Sequence, residues 1–205
     1  MKILAINGSP NERSTYFLLK TILDELEKLG AQIELVNLSE YRILPCKGCD
    51  FCLKEGRCCQ EDDIFKIIRK MEEADAIIIG SPTYFGNVSG LVKNLIDRSR
   101  MERMGGFKLK NKIFSPIITS GLRNGGGEYA AMSLIIYALG QGMIPATIAE
   151  EPISTGTFVI GVIQGDEGWR SIRKDGIALK SIKLLAKRIY ELTKATESLR
   201  FQSTS

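Results

Sequence analysis

The chain reads as an α/β fold: a doubly wound, five-stranded parallel sheet with helices on both faces and a cysteine-rich loop, residues 44–60, inserted after the second strand. Two observations lead to the sheet. Short continuous apolar runs, as expected of strands buried on both faces, alternate with stretches whose apolar residues recur at helical spacing. At 205 residues and 44% apolar composition there is material for one sizeable core and too little for two, so residues 1–195 are expected to form one domain. A third observation sets the loop apart: all five cysteines fall between Cys46 and Cys59.

Lys2 to Ile6 is the first strand, followed by a polar turn and a helix from Tyr16 to Leu29 that Gly30 ends as a C′ glycine. Ile33 to Leu38 is the second strand. After the cysteine loop, Glu61-Asp62-Asp63 suits the first turn of a helix running to about Glu73. Ala76 to Gly80 is the third strand, and a helix from Ser89 to Arg98 follows its loop. Lys112 to Thr119 is the fourth strand, which Pro116 marks as irregular or near an edge. A glycine-rich loop (Gly121 to Gly127), an apolar helix (Glu128 to Leu139) and a fifth strand near Met143 to Ile148 come next. A loop-rich tract then reaches Asp175, the last helix spans Gly176 to Leu192, and residues 196–205 are expected to be a disordered tail.

Composition removes several function classes. The formal charge of +4 is modest and no Lys/Arg run is long, so no nucleic-acid partner is expected. Nothing approaches the roughly 20 apolar residues that span a bilayer, and no leader precedes the first strand; the expected location is the cytoplasm, with no membrane partner. There is no histidine, so Ser-His-Asp and Cys-His nucleophiles and imidazole acid–base chemistry are excluded. No catalytic acid or base is assigned.

In a reducing compartment, clustered cysteines read as metal ligands. Cys46, Cys49 and Cys52 follow C-x-x-C-x-x-C, and Cys58 arrives after a short loop containing Gly56. Short spacers let thiolates converge as a tetrahedral metal or a cubane requires, whereas simple disulfide pairing needs no such crowding. Iron–sulfur, zinc, and free or disulfide-forming thiols all remain open on spacing alone.

In a parallel sheet the ligand site lies beyond the carboxyl ends of the strands, where strand order reverses. Three unusual loops stand there. Ser9, Asn11, Ser14 and Thr15 precede the first helix, whose N-terminal N–H groups suit a phosphate; the plain alternative is that Ser14 only caps the helix. In the second loop Pro82 and Thr83 lead into Tyr84, Phe85, Gly86 and Asn87, flat surface plus close approach for a planar ring, or else an ordinary turn packing on the core. The third, Thr119 to Glu128, offers N–H groups to a ring edge, or is a flexible surface loop.

Gly8-Ser9-Pro10 with Ser14-Thr15, the run SPTYFGNVSGLVKNLIDR from Ser81 to Arg98, and the glycine flap resemble the NADPH-dependent FMN reductase family of flavodoxin-like proteins, in the family's order and over most of the chain. The cysteine stretch is similar to the compact motif of its iron–sulfur flavoprotein branch. The resemblance implies FMN held by Ser9, Asn11, Ser14, Thr15, Pro82, Thr83, Tyr84, Phe85, Gly86 and Asn87, with Ser120 and Gly126 from the flap. It implies a [4Fe–4S] cluster on Cys46, Cys49, Cys52 and Cys58, the last chosen because it keeps the motif's spacing, with Cys59 a spare thiol. It also implies a homodimer or homotetramer with the flavin near a subunit interface, where the apolar helix Glu128 to Leu139 would be buried.

The expected function is a flavin relay that moves electrons between a reduced donor, ferredoxin or NAD(P)H, and an acceptor. Rival readings are a plain NAD(P)H-dependent FMN or quinone reductase without a cluster, and a non-catalytic electron carrier. The basic segment Lys108-Lys110-Lys112 is a candidate dock for an acidic ferredoxin-type carrier, against the plainer reading of a solvated strand entrance.

Overall fold

The computed structural model describes residues 1–150 and 153–201. Five strands form the parallel order β2-β1-β3-β4-β5: β1 (Lys2–Asn7), β2 (Gln32–Asn37), β3 (Ala76–Pro82), β4 (Ile113–Ser120) and β5 (Ile144–Pro145). A sixth, β6 (Val159–Val162), also pairs with β4. It lies in the tract expected to be loop. Its four residues lie within the apolar run Phe158 to Ile163, a strand signal interrupted only by Gly161, where a Cβ would meet Ile172 at 2.3 Å.

Pro116 belongs to neither an edge strand nor a bulge. It sits inside β4, opposite Ile79 of β3, at the break between two partners: Ile113 and Phe114 pair with β5, and Ile117 to Ser120 pair with β6. A residue without an N–H is tolerated there because the ladder on that side changes strands at that point.

Side-chain alternation along the strands builds two cores. Ile3, Ala5, Ile78 and Ile117 face α1 (Ser14–Lys28) and α7 (Gly176–Ala195), where Leu19, Ile22, Ile182 and Ile189 are fully buried. Leu4, Ile6, Ile77 and Phe114 face α3 (Ile64–Glu73), α4 (Gly90–Arg98) and α6 (Gly127–Gly140). The short helix α2 (Phe51–Glu55), inside the cysteine loop, packs against α5 (Arg100–Met104).

Two expectations change. Glu197–Phe201 forms a helix, α8, rather than a disordered tail, tied down where Arg200 donates to Asp75 Oδ1 (3.1 Å) and to the Thr193 carbonyl (2.6 Å); residues 202–205 of that tail lie outside the described residues. Lys112 is buried and donates to the carbonyls of Glu72 and Ala74, both at 2.6 Å, as a cation on the C-terminal end of α3, and burial lowers its pKa. Lys108 pairs with Glu72 at 3.0 Å but stays exposed, as does Lys110, so it is Lys112 that is withdrawn from the expected basic face.

Candidate functional site

The three loops meet at the carboxyl end of the sheet, held by bonds between residues far apart in sequence. Gly8 N–H donates to the Gly80 carbonyl at 2.8 Å, so the first loop lies directly on β3. A Cβ on Gly8 would stand 2.0 Å from Val92 Cγ2 and 2.9 Å from Gly80 O, and only glycine permits this approach. Ser89 joins the first two loops: its hydroxyl donates to Gly8 O at 2.6 Å, its N–H donates to Ser81 Oγ at 2.9 Å, and its Oγ accepts from Val92 N as the N-cap of α4. Thr119 joins the first and third loops by a 2.7 Å hydroxyl contact with Thr15, and its carbonyl accepts from Thr83 N at 2.8 Å. Neither Ser89 nor Thr119 was singled out as a site residue. An N-cap serine seven residues after Pro82 was the available sign for the first; the second had none.

All three hydroxyls of the phosphate loop are engaged by the protein. Ser9 Oγ accepts from Asn11 N (3.3 Å), Ser14 donates to the Trp169 carbonyl (3.0 Å), and Thr15 contacts Thr119. Ser14 therefore does not cap the helix. The cap position is Arg13, whose side chain makes no capping bond, so the first-turn N–H groups of α1 stay open while Asn11 stands exposed above them. A phosphate here would be met by main-chain N–H groups and the helix dipole, with the hydroxyls rigidifying the loop.

In the middle loop, Tyr84 and Asn87 exchange main-chain bonds of 2.9 and 3.1 Å around Phe85 and Gly86. Both central residues have positive φ, 50° and 75°, as a two-residue type I′ turn demands. A phenylalanine in that conformation is strained, and its ring is fully exposed, with Tyr84 half exposed beside it. The aromatics thus do not pack on the core. Thr83 Oγ1 is buried without a hydrogen-bond partner among the described residues. The flap rests against this turn: a Cβ on Gly126 would lie 2.6 Å from Gly86 Cα. Ser120 Oγ donates to the Leu122 carbonyl at 2.7 Å and shapes the flap's start. A cavity of about 680 Å³ is lined by Arg123 of the flap with Val162, Gln164 and Asp175, and by none of the other residues expected at the site.

The cysteine loop is closed by a buried ion pair. Arg98, the last residue of α4, and Asp62 each have side chains only 1% exposed. Arg98 donates to both Asp62 oxygens (2.7 and 3.1 Å), to Leu44 O (2.9 Å) before the loop and to Gln60 O (3.3 Å) after it. Asp62 also accepts from the N–H groups of Leu44 and Ile64. Burial alone would raise its pKa; Arg98 and the two N–H groups more than reverse that and hold it below the usual carboxylate range. Nearby, Arg100 donates to Asp50 at 2.7 Å.

All five thiols line one narrow recess with these two guanidinium groups. Cys52 and Cys58 are half-buried against the core; Cys46, Cys49 and Cys59 are exposed. Cys49 Sγ and Cys59 Sγ lie 3.4 Å apart. The Phe51 N–H and the Cys59 thiol hold the Cys49 pKa below the usual thiol value, and Cys49 holds that of Cys59 above it. Among the described residues, no three Cys, Asp or Glu side chains are gathered closely enough for a single metal ion. A cubane bonds each cysteine to a different iron, so it asks for four thiols around one recess rather than three at one point, and the five thiols that line this recess include such a set.

Comparisons with known proteins bear on the fold and the family. The family model for NADPH-dependent FMN reductase matches residues 1–154. An iron–sulfur flavoprotein of Archaeoglobus fulgidus is 65% identical over 200 residues, 98% of this chain and 99% of that one. Another, from Methanocaldococcus jannaschii, is 36% identical over 195 residues, covering 95% and 98% of the two chains. Among solved structures, RosB with a bound riboflavin-5'-phosphate derivative superposes with a TM-score of 0.76 at 15% identity, covering 98% of this chain and 81% of that one, a likeness of fold. An NAD(P)H:quinone oxidoreductase from Methanothermobacter marburgensis gives 0.66 at 14% identity over 92% and 98%. With its flavodoxin-like sheet, its three-loop site and its thiol-lined recess, the chain belongs to the NADPH-dependent FMN reductase family, in the iron–sulfur flavoprotein branch, and is a flavin-dependent oxidoreductase.

Proposed function

We propose that the protein relays electrons between a reduced donor, a ferredoxin-type carrier or NAD(P)H, and an acceptor, using FMN at the three loops and a [4Fe–4S] cluster on Cys46, Cys49, Cys52 and Cys58. The observation that carries this reading is α4. Its first turn is capped by Ser89, which ties together the first two loops, and its last residue, Arg98, clasps both stems of the cysteine loop. One rigid helix of nine residues, about 13 Å long at 1.5 Å per residue, thus joins the two candidate sites.

FMN supplies one- and two-electron chemistry at its ring, and an iron–sulfur cluster supplies single-electron transfer. The chain's contribution is position and electrostatics. The open N–H groups of Ser14, Thr15 and Tyr16, with Ser9 and Asn11, would hold the phosphate. Pro82 and Thr83 set the turn on which Tyr84, Phe85, Gly86 and Asn87 would receive the ring. Ser120 and Gly126 would contribute flap N–H groups. Arg98 and Arg100 balance the negative charge of ligated thiolates.

The exposed face of α6 supports a homodimer or homotetramer. Tyr129, Met132, Ile136 and Leu139 form an apolar stripe at helical spacing, with Leu122 exposed nearby. A stripe of this kind on a two-fold axis is self-complementary. Among the described residues, no helix is long and apolar enough to cross a membrane.

Anaerobic purification followed by iron and sulfide analysis tests the central reading, with about four of each per chain expected. Cys49→Ser is expected to abolish iron binding while FMN stays bound; joint loss of both would mean that the cysteines hold the fold instead. Flavin and no iron would favour the plain reductase. Anaerobic NADPH that fails to bleach the flavin would favour a carrier.

A further inference from the structure

The five thiols outnumber the four that a cubane takes, and the fifth is not idle. Cys59 Sγ lies 3.4 Å from Cys49 Sγ, and both residues are exposed. Cys52 and Cys58 are instead half-buried against the core, and Cys46 accepts from Gly48 N–H at 3.5 Å. Cysteines of a cubane sit on different irons, so two sulfurs in contact do not both serve as its ligands in this arrangement. Cys49 belongs to the C-x-x-C-x-x-C run, leaving Cys59 as the thiol outside the ligand set but in reach of one member.

We propose that Cys49 and Cys59 are a redox-modification site: in the cluster-free protein they close to a disulfide that withholds Cys49 from the cluster until it is reduced. The second half of this proposal rests on the cluster reading above. The oxidant is a small-molecule disulfide. The Cys49 thiolate attacks one of its sulfurs, forming a mixed disulfide and releasing one small thiolate. The Cys59 thiolate then attacks Cys49 Sγ, forming the protein disulfide and releasing the second small thiolate. Two protein thiols lose two electrons and two protons; the small disulfide gains them and becomes two thiols. Closure brings the sulfurs from 3.4 Å to about 2.05 Å, across a stretch whose left-handed turns at Asp50 and Gly56 already fold it back on itself.

The test uses full-length, metal-free protein incubated with 2-hydroxyethyl disulfide, then alkylated with N-ethylmaleimide and mapped by mass spectrometry. The expected product links the Cys49 and Cys59 peptides and carries alkylated Cys46, Cys52 and Cys58. A Cys58–Cys59 or Cys49–Cys52 link, or five alkylated thiols, overturns the proposal. In the second arm, iron and sulfide uptake is measured before and after dithiothreitol. Oxidised wild-type protein should take up iron at least about tenfold more slowly than reduced protein, and reduced C59S should take it up like reduced wild-type protein, whereas oxidised C59S, unable to close, should carry the small thiol on Cys49. If reduced C59S takes up no iron while reduced wild-type protein does, Cys59 is a ligand and the proposal is wrong. If neither reduced protein takes up iron, the cluster reading fails and the withholding role with it, while the peptide map still decides the disulfide.

Discussion

Replacing Asp62 by Asn tests whether the Arg98 clasp supports both the fold and the cysteine loop. The substitution keeps size and one acceptor oxygen but removes the charge opposite a guanidinium that is 1% exposed. Breaking a buried pair by neutralising one partner costs about 3–5 kcal/mol. Arg98 keeps its bonds to Leu44 O and Gln60 O, and asparagine still accepts one bond, so the low end, about 3 kcal/mol, is the expected loss. At an m-value of about 2 kcal/mol/M in urea, the unfolding midpoint falls by about 1.5 M. Lys93→Ala, which breaks the exposed pair of Lys93 with Asp97 on the same helix, is the control and shifts the midpoint by less than about 0.3 M. Alkylation of the half-buried Cys58 should also accelerate in the Asp62 variant, since both stems lose their common anchor. A midpoint shift no larger than the control's would refute the reasoning. Asp62 has a lowered folded-state pKa, so its contribution is complete above the unfolded value of 3.8 and is lost as pH falls below it.

Other expectations follow from particular contacts. Glu102 is 2% exposed, its Oε2 is without a hydrogen-bond partner among the described residues, and burial followed by the neighbouring Glu72 carboxyl pushes its pKa up from 4.5 to about 8. The folded state therefore holds an extra proton between those values, and stability declines as pH rises through that window; Glu102→Gln should flatten the decline and raise stability at pH 9 by roughly 2–4 kcal/mol in urea titrations, after allowance for solvent screening. An unchanged pH profile would show that Glu102 is not the responsible group. Gly8→Ala drives a methyl into Val92 and the Gly80 carbonyl, and should cost about 1–3 kcal/mol and weaken FMN binding measured by flavin fluorescence. Ile136→Glu on the exposed α6 stripe should shift the protein to monomer in light scattering; an unchanged mass would place the subunit interface elsewhere.

Local pattern determined much of this protein. Apolar runs place β1 and β3, helical spacing places α1 and α7, and the spacing of the cysteines marks the recess. These signals repeat over a few residues, so one chain segment carries them complete. What the tertiary structure decided is pairing across distance. Thr15 meets Thr119, Ser14 meets the Trp169 carbonyl and Arg98 meets Asp62, contacts 104, 155 and 36 residues apart. Lys112 looked like part of an exposed basic run until α3 placed its terminal carbonyls against it. β6 takes the place beside β4 that β5 leaves beyond Pro116, and Cys59 touches Cys49 because the loop folds back between them. In each case the residue's own neighbours in sequence leave its hydrogen-bonding capacity open, and only the packed sheet determines which group satisfies it.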